Sequence, residues 1–253
     1  MTETDPNRAA PDFAVGGWDV LVALVAAFAV AGAAIVAYVF AAMLFDGTPL
    51  LKPGAKPTQG LINFGLLLEA AALVGGVQAL RLRRRDFTWH RFGLRPTTRR
   101  WIWIGVGLGV LFVPLSILVS TGTQKLLGLP SESPQMPLLA PEGFSWTAYV
   151  IILVLGGILV PLAEEIFFRG LVYGWLRRVW SVPAGVMVSA LIFGVIHGFV
   201  VVIVAAAMIG IALALLYEKS RSLWPSAVLH MVFNSISLSL MFAEIAEKSG
   251  ASI

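Results

Sequence analysis

The sequence predicts an all-α fold, a polytopic integral membrane helical bundle of about seven (six to eight) transmembrane helices. Three observations predict it. The 253 residues are 58% hydrophobic and only 13% charged, against roughly 25% charged in a soluble domain. Mean hydropathy is +0.87. The charges are also segregated, with long apolar windows nearly free of them and short connections holding almost all. An uncharged apolar window of about 20 residues reads as a membrane-spanning helix, because in hydrocarbon each segment must satisfy its own backbone groups.

Seven such windows are expected near 18–45, 60–81, 101–121, 145–168, 182–197, 199–217 and 223–243, the fourth continuing past Arg169 to about Arg178. Residues 1–17 are polar and acidic, with Pro6 and Pro11. They lack the basic start of a signal peptide and are expected to form a disordered tail. That leaves 18–253 as a single membrane domain. The 46–59 connection is rich in Pro, Gly and Lys. The 122–144 connection holds Pro130, Pro134, Pro137 and Pro141 and is expected to be an extended loop. There is no internal repeat.

Orientation follows from the arginines. Arg81, Arg83, Arg84, Arg85, Arg91, Arg95, Arg99 and Arg100 lie between spans two and three, Arg177 and Arg178 follow span four, and Lys219 and Arg221 follow span six. With seven spans these three loops share one face, which the positive-inside rule makes cytoplasmic. The chain is therefore expected as a multi-pass protein of the cell (plasma or inner) membrane, with a cytoplasmic N-terminus and 82–100 loop. The sequence pI near 9.7 reflects arginines flanking membrane spans and does not point to nucleic acid. Such a loop instead attracts anionic lipid. The chain has no cysteine, which excludes disulfides, thiolate metal sites and a cysteine nucleophile.

Ionisable residues inside a bilayer are costly and mark function. Glu164, Glu165, Arg169, His197, His230 and Asn234 stand out in the second half of the chain. Glu165 and Arg169 have the favourable i, i+4 order of a helical ion pair. Glu164 points about 100° away and is a candidate general base if water reaches it. If spans four and five form a hairpin turning at 180–183, Glu164 and His197 lie at equal depth, about 24 Å from the turn, facing each other across a water. His230 and Asn234 share one helical face and suit a developing oxyanion. Simple rise puts His230 only about 12 Å from the preceding turn, so tilt, a broken helix or a deeper re-entry is needed to bring it to Glu164.

Taken together, Glu164-Glu165-x-x-x-Arg169, Phe193-x-x-x-His197 and His230-x-x-x-Asn234, in this order on successive spans, resemble the three motifs of the CAAX protease and bacteriocin-processing family, also called Abi or type II CAAX prenyl endopeptidases. The resemblance covers roughly 145–240. It implies an intramembrane endopeptidase acting on a membrane-anchored or lipidated, CAAX-like peptide, with a cavity open to the cytoplasmic side. By that resemblance Glu164 and His197 activate water, His230 and Asn234 stabilise the oxyanion, and Glu165 with Arg169 hold the site. No cofactor is expected to be required. Zinc is the alternative, with Glu164, His197 and His230 as its ligands, although the sequence lacks a His-Glu-x-x-His helix. The competing functions are a proton- or solute-coupled transporter and a catalytically silent scaffold. The absence of related halves speaks against a transporter.

Three further features follow from residue chemistry. Pro161 removes the hydrogen bond to the Gly157 carbonyl and predicts a kink. Glu69, in the middle of the second span, reads as a helix contact in preference to a cavity residue. Gly194 and Gly198 flank His197 at a spacing that allows close helix approach.

Overall fold

A computed structural model describes residues 14–45 and 57–250, with the side chains of 38 and below and of 57 onward. Residues 1–13 of the expected tail and most of the 46–59 connection lie outside the described residues. Nine helices follow in chain order among those described: α1 Gly17–Phe45, α2 Gln59–Arg83, α3 Trp89–Phe92, α4 Arg99–Leu127, α5 Met136–Leu139, α6 Trp146–Val179, α7 Val182–Val195, α8 Val200–Ser220 and α9 Leu223–Ser249. No described residue is in a strand. Six of the helices are long and apolar enough to cross a membrane, and α7 is a shorter apolar one. The polytopic all-α fold expected from the sequence is therefore the observed one.

Local chemistry sets the helix ends. Thr58, Ser145, Ser181 and Ser222 each accept a hydrogen bond from a backbone N–H in the first turn of α2, α6, α7 and α9, satisfying donors that the helix itself leaves unpaired. Gly128 and Gly250 close α4 and α9 in the left-handed region, where glycine carries no steric cost. α4 and α9 both run six residues beyond the expected ends at 121 and 243. The polar tails Thr121–Lys125 and Glu244–Lys248 stay helical beyond the apolar window.

The outer faces are apolar. Phe28 on α1 is 75% exposed and Leu118 on α4 is 69% exposed, among many large hydrophobic side chains. A surface this apolar suits lipid rather than water. The interior belongs to α6, whose stretch from Val160 to Gly174 is buried except for half-buried Leu162, packed among α2, α7, α8 and α9.

The bundle has two chemically distinct ends. At one, Arg83 and Arg84 meet Asp19 (3.5 and 2.8 Å), Arg177 and Arg221 meet Glu218 (2.8 and 3.1 Å), and the loop after α2 folds over the α8–α9 turn. There the Leu223 N–H donates to the Gly93 carbonyl at 2.9 Å, Ser222 Oγ to the Arg95 carbonyl at 2.7 Å, and Arg95 Nε to the Arg221 carbonyl. Arg84 also binds Asp86 and holds that carboxyl below its usual range. At the opposite end, Gln124 donates to the carbonyls of Ser131 and Glu132, Gln59 binds Glu142 and Leu139, and Lys248 pairs with Glu132 and Glu244. The four-proline connection thus folds back onto the helix ends around the short α5.

α4 and α9 approach closely because α4 offers glycine at the contact. A methyl group at Gly109 would lie 2.8 Å from the Leu229 carbonyl oxygen and from Val232, whereas one at Gly107 would meet nothing within 4 Å. Gly109→Val is therefore expected to lower thermal stability in detergent by about 1–3 kcal/mol, with Gly107→Val close to wild type. Equal melting temperatures for the two variants would contradict this packing.

Candidate active site

The local path of α6 creates the site. Leu155–Leu159 and Ile166–Tyr173 are π-helical and bracket a single α-turn pair, Val160–Glu165. Wide turns of this kind arise where the regular hydrogen-bond ladder is interrupted, and Pro161 supplies the interruption. The Val160 N–H donates to Leu155, and Pro161 has no N–H to offer, so the Gly156 carbonyl has no donor within its own helix. Asn234 fills the vacancy by donating through Nδ2 at 3.1 Å, and Ser235 Oγ donates to the Gly157 carbonyl at 3.3 Å. The structure accommodates Pro161 by a π-helical register change sealed by α9, which leaves the Gly156 carbonyl, and not only that of Gly157, for a partner on another helix. A Cβ at Gly157 would lie 2.8 Å from Ser235 Oγ and displace it from the Gly157 carbonyl.

The α-turn presents the two adjacent glutamates to different surroundings. Glu165 is fully buried. Arg169 Nε lies 3.3 Å from its Oε2 and His230 Nδ1 lies 3.1 Å from its Oε1. The arginine contact is electrostatic rather than a directed hydrogen bond, as neither Glu165 Oε2 nor Arg169 Nε has a hydrogen-bond partner. Arg169 is held further by the Phe193 ring, 4.5 Å from its guanidinium carbon, and by the Gly210 carbonyl at 3.5 Å. Such a cation over an aromatic face is stabilised most where water is excluded. Glu164 is buried beside it, with Oε2 3.6 Å from His230 Nε2. His230 therefore stands between both carboxylates.

Its depth resolves the discrepancy in the helical count. The α8–α9 turn is tucked beneath the Gly93–Arg95 loop, with Ser222 and Leu223 fully buried. α9 consequently starts well inside the protein, and eight residues of rise suffice to reach Glu164.

His197 reaches the same region from α7. This helix has 14 residues, about 21 Å of rise, which is short of the roughly 30 Å hydrocarbon core. The turn at 196–199 thus stops short of the far face, with Ile196 and Phe199 exposed on its outside and His197 turned in to line the cavity. Its tight return depends on Gly198, at φ +78°. Gly194 provides the close approach expected of it, with the Ile203 carbonyl 2.7 Å from its Cβ position, whereas Gly198 has nothing within 4 Å and serves as the turn residue. His197 Nδ1 is 2.7 Å from the Phe193 carbonyl. A carbonyl only accepts, so Nδ1 carries the proton and the neutral ring keeps the Nε2 lone pair free.

A cavity of about 550 Å³ joins these groups, lined by Glu164, His197, His230 and Asn234, and by Glu69, Ser116, Gln124 and Glu244. Glu165 and Arg169 lie behind its wall. Glu69 corrects the sequence reading. It lines the cavity instead of closing a helix contact, and a lone acid in an apolar span did carry that signal. The lining runs from Glu164 and His230 in mid-bundle to Gln124, Glu244 and the 131–135 loop at the end remote from the arginines. A cytoplasmic 82–100 loop and a cavity open to the cytoplasm are therefore incompatible.

Glu164, His197 and His230 do not form a metal site in this arrangement. Among the described residues no three His, Asp or Glu side chains are grouped as metal ligands, and His230 already directs its two ring nitrogens at two carboxylates. A three-ligand zinc centre does not fit the residues as placed.

Comparison with known proteins bears on the same segment. Residues 145–236 match the family model described as type II CAAX prenyl endopeptidase Rce1-like. The resemblance carried by the three motifs is thereby borne out, and all six polar residues fall inside the matched stretch. α2 and α4, which bring Glu69, Ser116 and Gln124 to the cavity, lie outside it. A curated relative, "Putative membrane peptidase YdiL" of Bacillus subtilis (strain 168), is 25% identical over 140 residues, covering 51% of this chain and 55% of that protein. The chain thus spans about half the length of the curated relative it matches. No solved structure matches.

Removing Arg169 leaves Glu165 buried with only the His230 hydrogen bond to hold it. Arg169→Ala is expected to cost about 3–5 kcal/mol and to lower the melting temperature in detergent well below that of Glu164→Gln. An unchanged melting temperature for Arg169→Ala would mean that the pair does not hold the site.

Proposed function

We propose that this protein is an intramembrane endopeptidase that hydrolyses a peptide bond of a membrane-anchored or lipidated substrate by direct attack of water. The observation that carries the reading is the convergence of Glu164, His197, His230 and Asn234 on one cavity, backed by the buried Glu165–Arg169 pair. The match of 145–236 to the Rce1-like endopeptidases supports the same reaction class.

In this mechanism a water lies between Glu164 and the free Nε2 of His197. Glu164 takes one proton as the water oxygen bonds to the scissile carbonyl carbon. The carbonyl oxygen becomes an oxyanion, facing the second amide hydrogen of Asn234, the first being committed to Gly156, and the Nε2 edge of His230, which is released from Glu164 as that carboxylate takes its proton. Donors set in advance in a dry wall stabilise such charge far better than they would in bulk water. When the C–N bond breaks, the proton held by Glu164 passes to the leaving nitrogen. Glu165 and Arg169 touch no reacting atom and position His230. No obligatory metal enters this scheme.

The variants separate these roles. Glu164→Gln keeps the shape but accepts no proton, so turnover of a membrane-peptide library is expected to fall about 10²–10⁴-fold while binding persists. Asn234→Ala is expected to lose about 10²–10³-fold in kcat with little change in KM. The deciding assay measures cleavage by metal-stripped wild type and Glu164→Gln, with zinc content determined alongside. Full activity without metal, lost in Glu164→Gln, is the expected result. Activity retained by Glu164→Gln overturns the mechanism. A reversible block by chelator would favour zinc, and solute flux without cleavage would favour a carrier.

A further inference from the structure

The two ends of the bundle differ sharply in charge. Every arginine except Arg8 and the buried Arg169 falls between Arg81 and Arg100 or at Arg177, Arg178 and Arg221. The contacts of Arg83, Arg84, Arg95, Arg177 and Arg221 gather these segments at one end. The other end has no arginine among the described residues. It carries Glu132, Glu142, Glu244 and Glu247 against Lys125 and Lys248.

The cavity runs from mid-bundle out to that second end. α4 lines it from Val113 to Gln124, α9 from His230 to Glu244, α6 from Gly156 to Glu164 and α2 at Leu66 and Glu69. Its rim is the loop at Ser131–Gln135, pinned by Gln124 and Lys248. On the arginine side the α8–α9 turn and the Gly93–Arg95 loop close the bundle beneath it. Positive loops stay in the cytoplasm during insertion.

We infer that the cavity faces the extracytoplasmic side, and that its substrates are membrane-anchored peptides whose cleavable segment is displayed there. The inference rests on the peptidase reading and narrows it. A prenylated tail on a cytosolic protein would have to pass the sealed arginine end to reach Glu164. An exported segment emerging from the bilayer meets the cavity directly, at the depth where the 196–199 turn brings His197.

The absence of native cysteine allows the geometry to be tested without reference to activity. Ser131→Cys at the rim and Thr97→Cys in the arginine-rich loop are each treated with a membrane-impermeant maleimide in intact cells and again after lysis. Ser131→Cys is expected to react in intact cells and Thr97→Cys only after lysis, and the reverse pattern overturns the inference. In parallel, a reporter with a single membrane anchor displays the same randomised linker on either face. Cleavage of the external linker alone is expected, about 100-fold or more above Glu164→Gln. Cleavage of the internal linker alone overturns the inference while leaving the peptidase reading intact. The expected labelling with neither linker cut removes the peptidase reading, and the substrate assignment with it.

Discussion

A buried carboxylate organises this molecule. Glu165 is fully enclosed in the middle of a membrane bundle, where an ionised group costs several kcal/mol unless it is paired. Arg169 from its own helix and His230 from α9 provide the pairing, one on each oxygen. Each partner is fixed in turn, Arg169 by Phe193 and the Gly210 carbonyl, and His230 by its position between two carboxylates. α6, α7, α8 and α9 therefore converge on one charge. Their relative depth follows from that contact as much as from apolar packing, because lipid is as favourable an environment for leucine as the helix interface is.

The same point explains why an irregular helix runs through the centre. A regular α6 would offer no free carbonyls to its neighbour. Pro161 and the π-helical turn before it leave the Gly156 carbonyl for Asn234, and the neighbouring Gly157 carbonyl takes Ser235. α9 is thus clamped to α6 at the glutamate pair by His230 and about two turns before it by Asn234 and Ser235. Asn234 cannot be moved without releasing a backbone acceptor, which ties its place at the cavity to the fold. The cost of the interrupted ladder is offset by bonds that also aim the side chains into the cavity.

The spans were legible in the sequence because lipid imposes a simple test of length and charge. The polar residues were legible because their cost in hydrocarbon makes each one conspicuous. Glu165–Arg169 followed from i, i+4 spacing alone. Depth was harder to read. Counting rise from the nearest turn assumes that all turns lie at the membrane surface, and the Ser222–Leu223 turn is covered by the Gly93–Arg95 loop, a contact between segments about 130 residues apart that no local pattern encodes. α7 is similarly too short to reach the far face, which a purely apolar run from 182 to 197 conceals. Glu69 was visible as an isolated acid, but only packing distinguishes a side chain that lines a cavity from one that meets a neighbouring helix. Gly198 looked like a packing glycine by spacing and is a turn residue by its backbone angle.

If the Glu165–Arg169 contact is the constraint on which the site depends, the two residues must be energetically coupled. A double-mutant cycle on thermal stability in detergent, using Glu165→Gln, Arg169→Gln and the double variant, measures that coupling directly. Each single change strands a buried charge, and the double change removes both. The expected result is two strongly destabilised single variants and a double variant more stable than their sum by about 0.5–3 kcal/mol. Additive losses, with no coupling between the two positions, would contradict the central role of this pair.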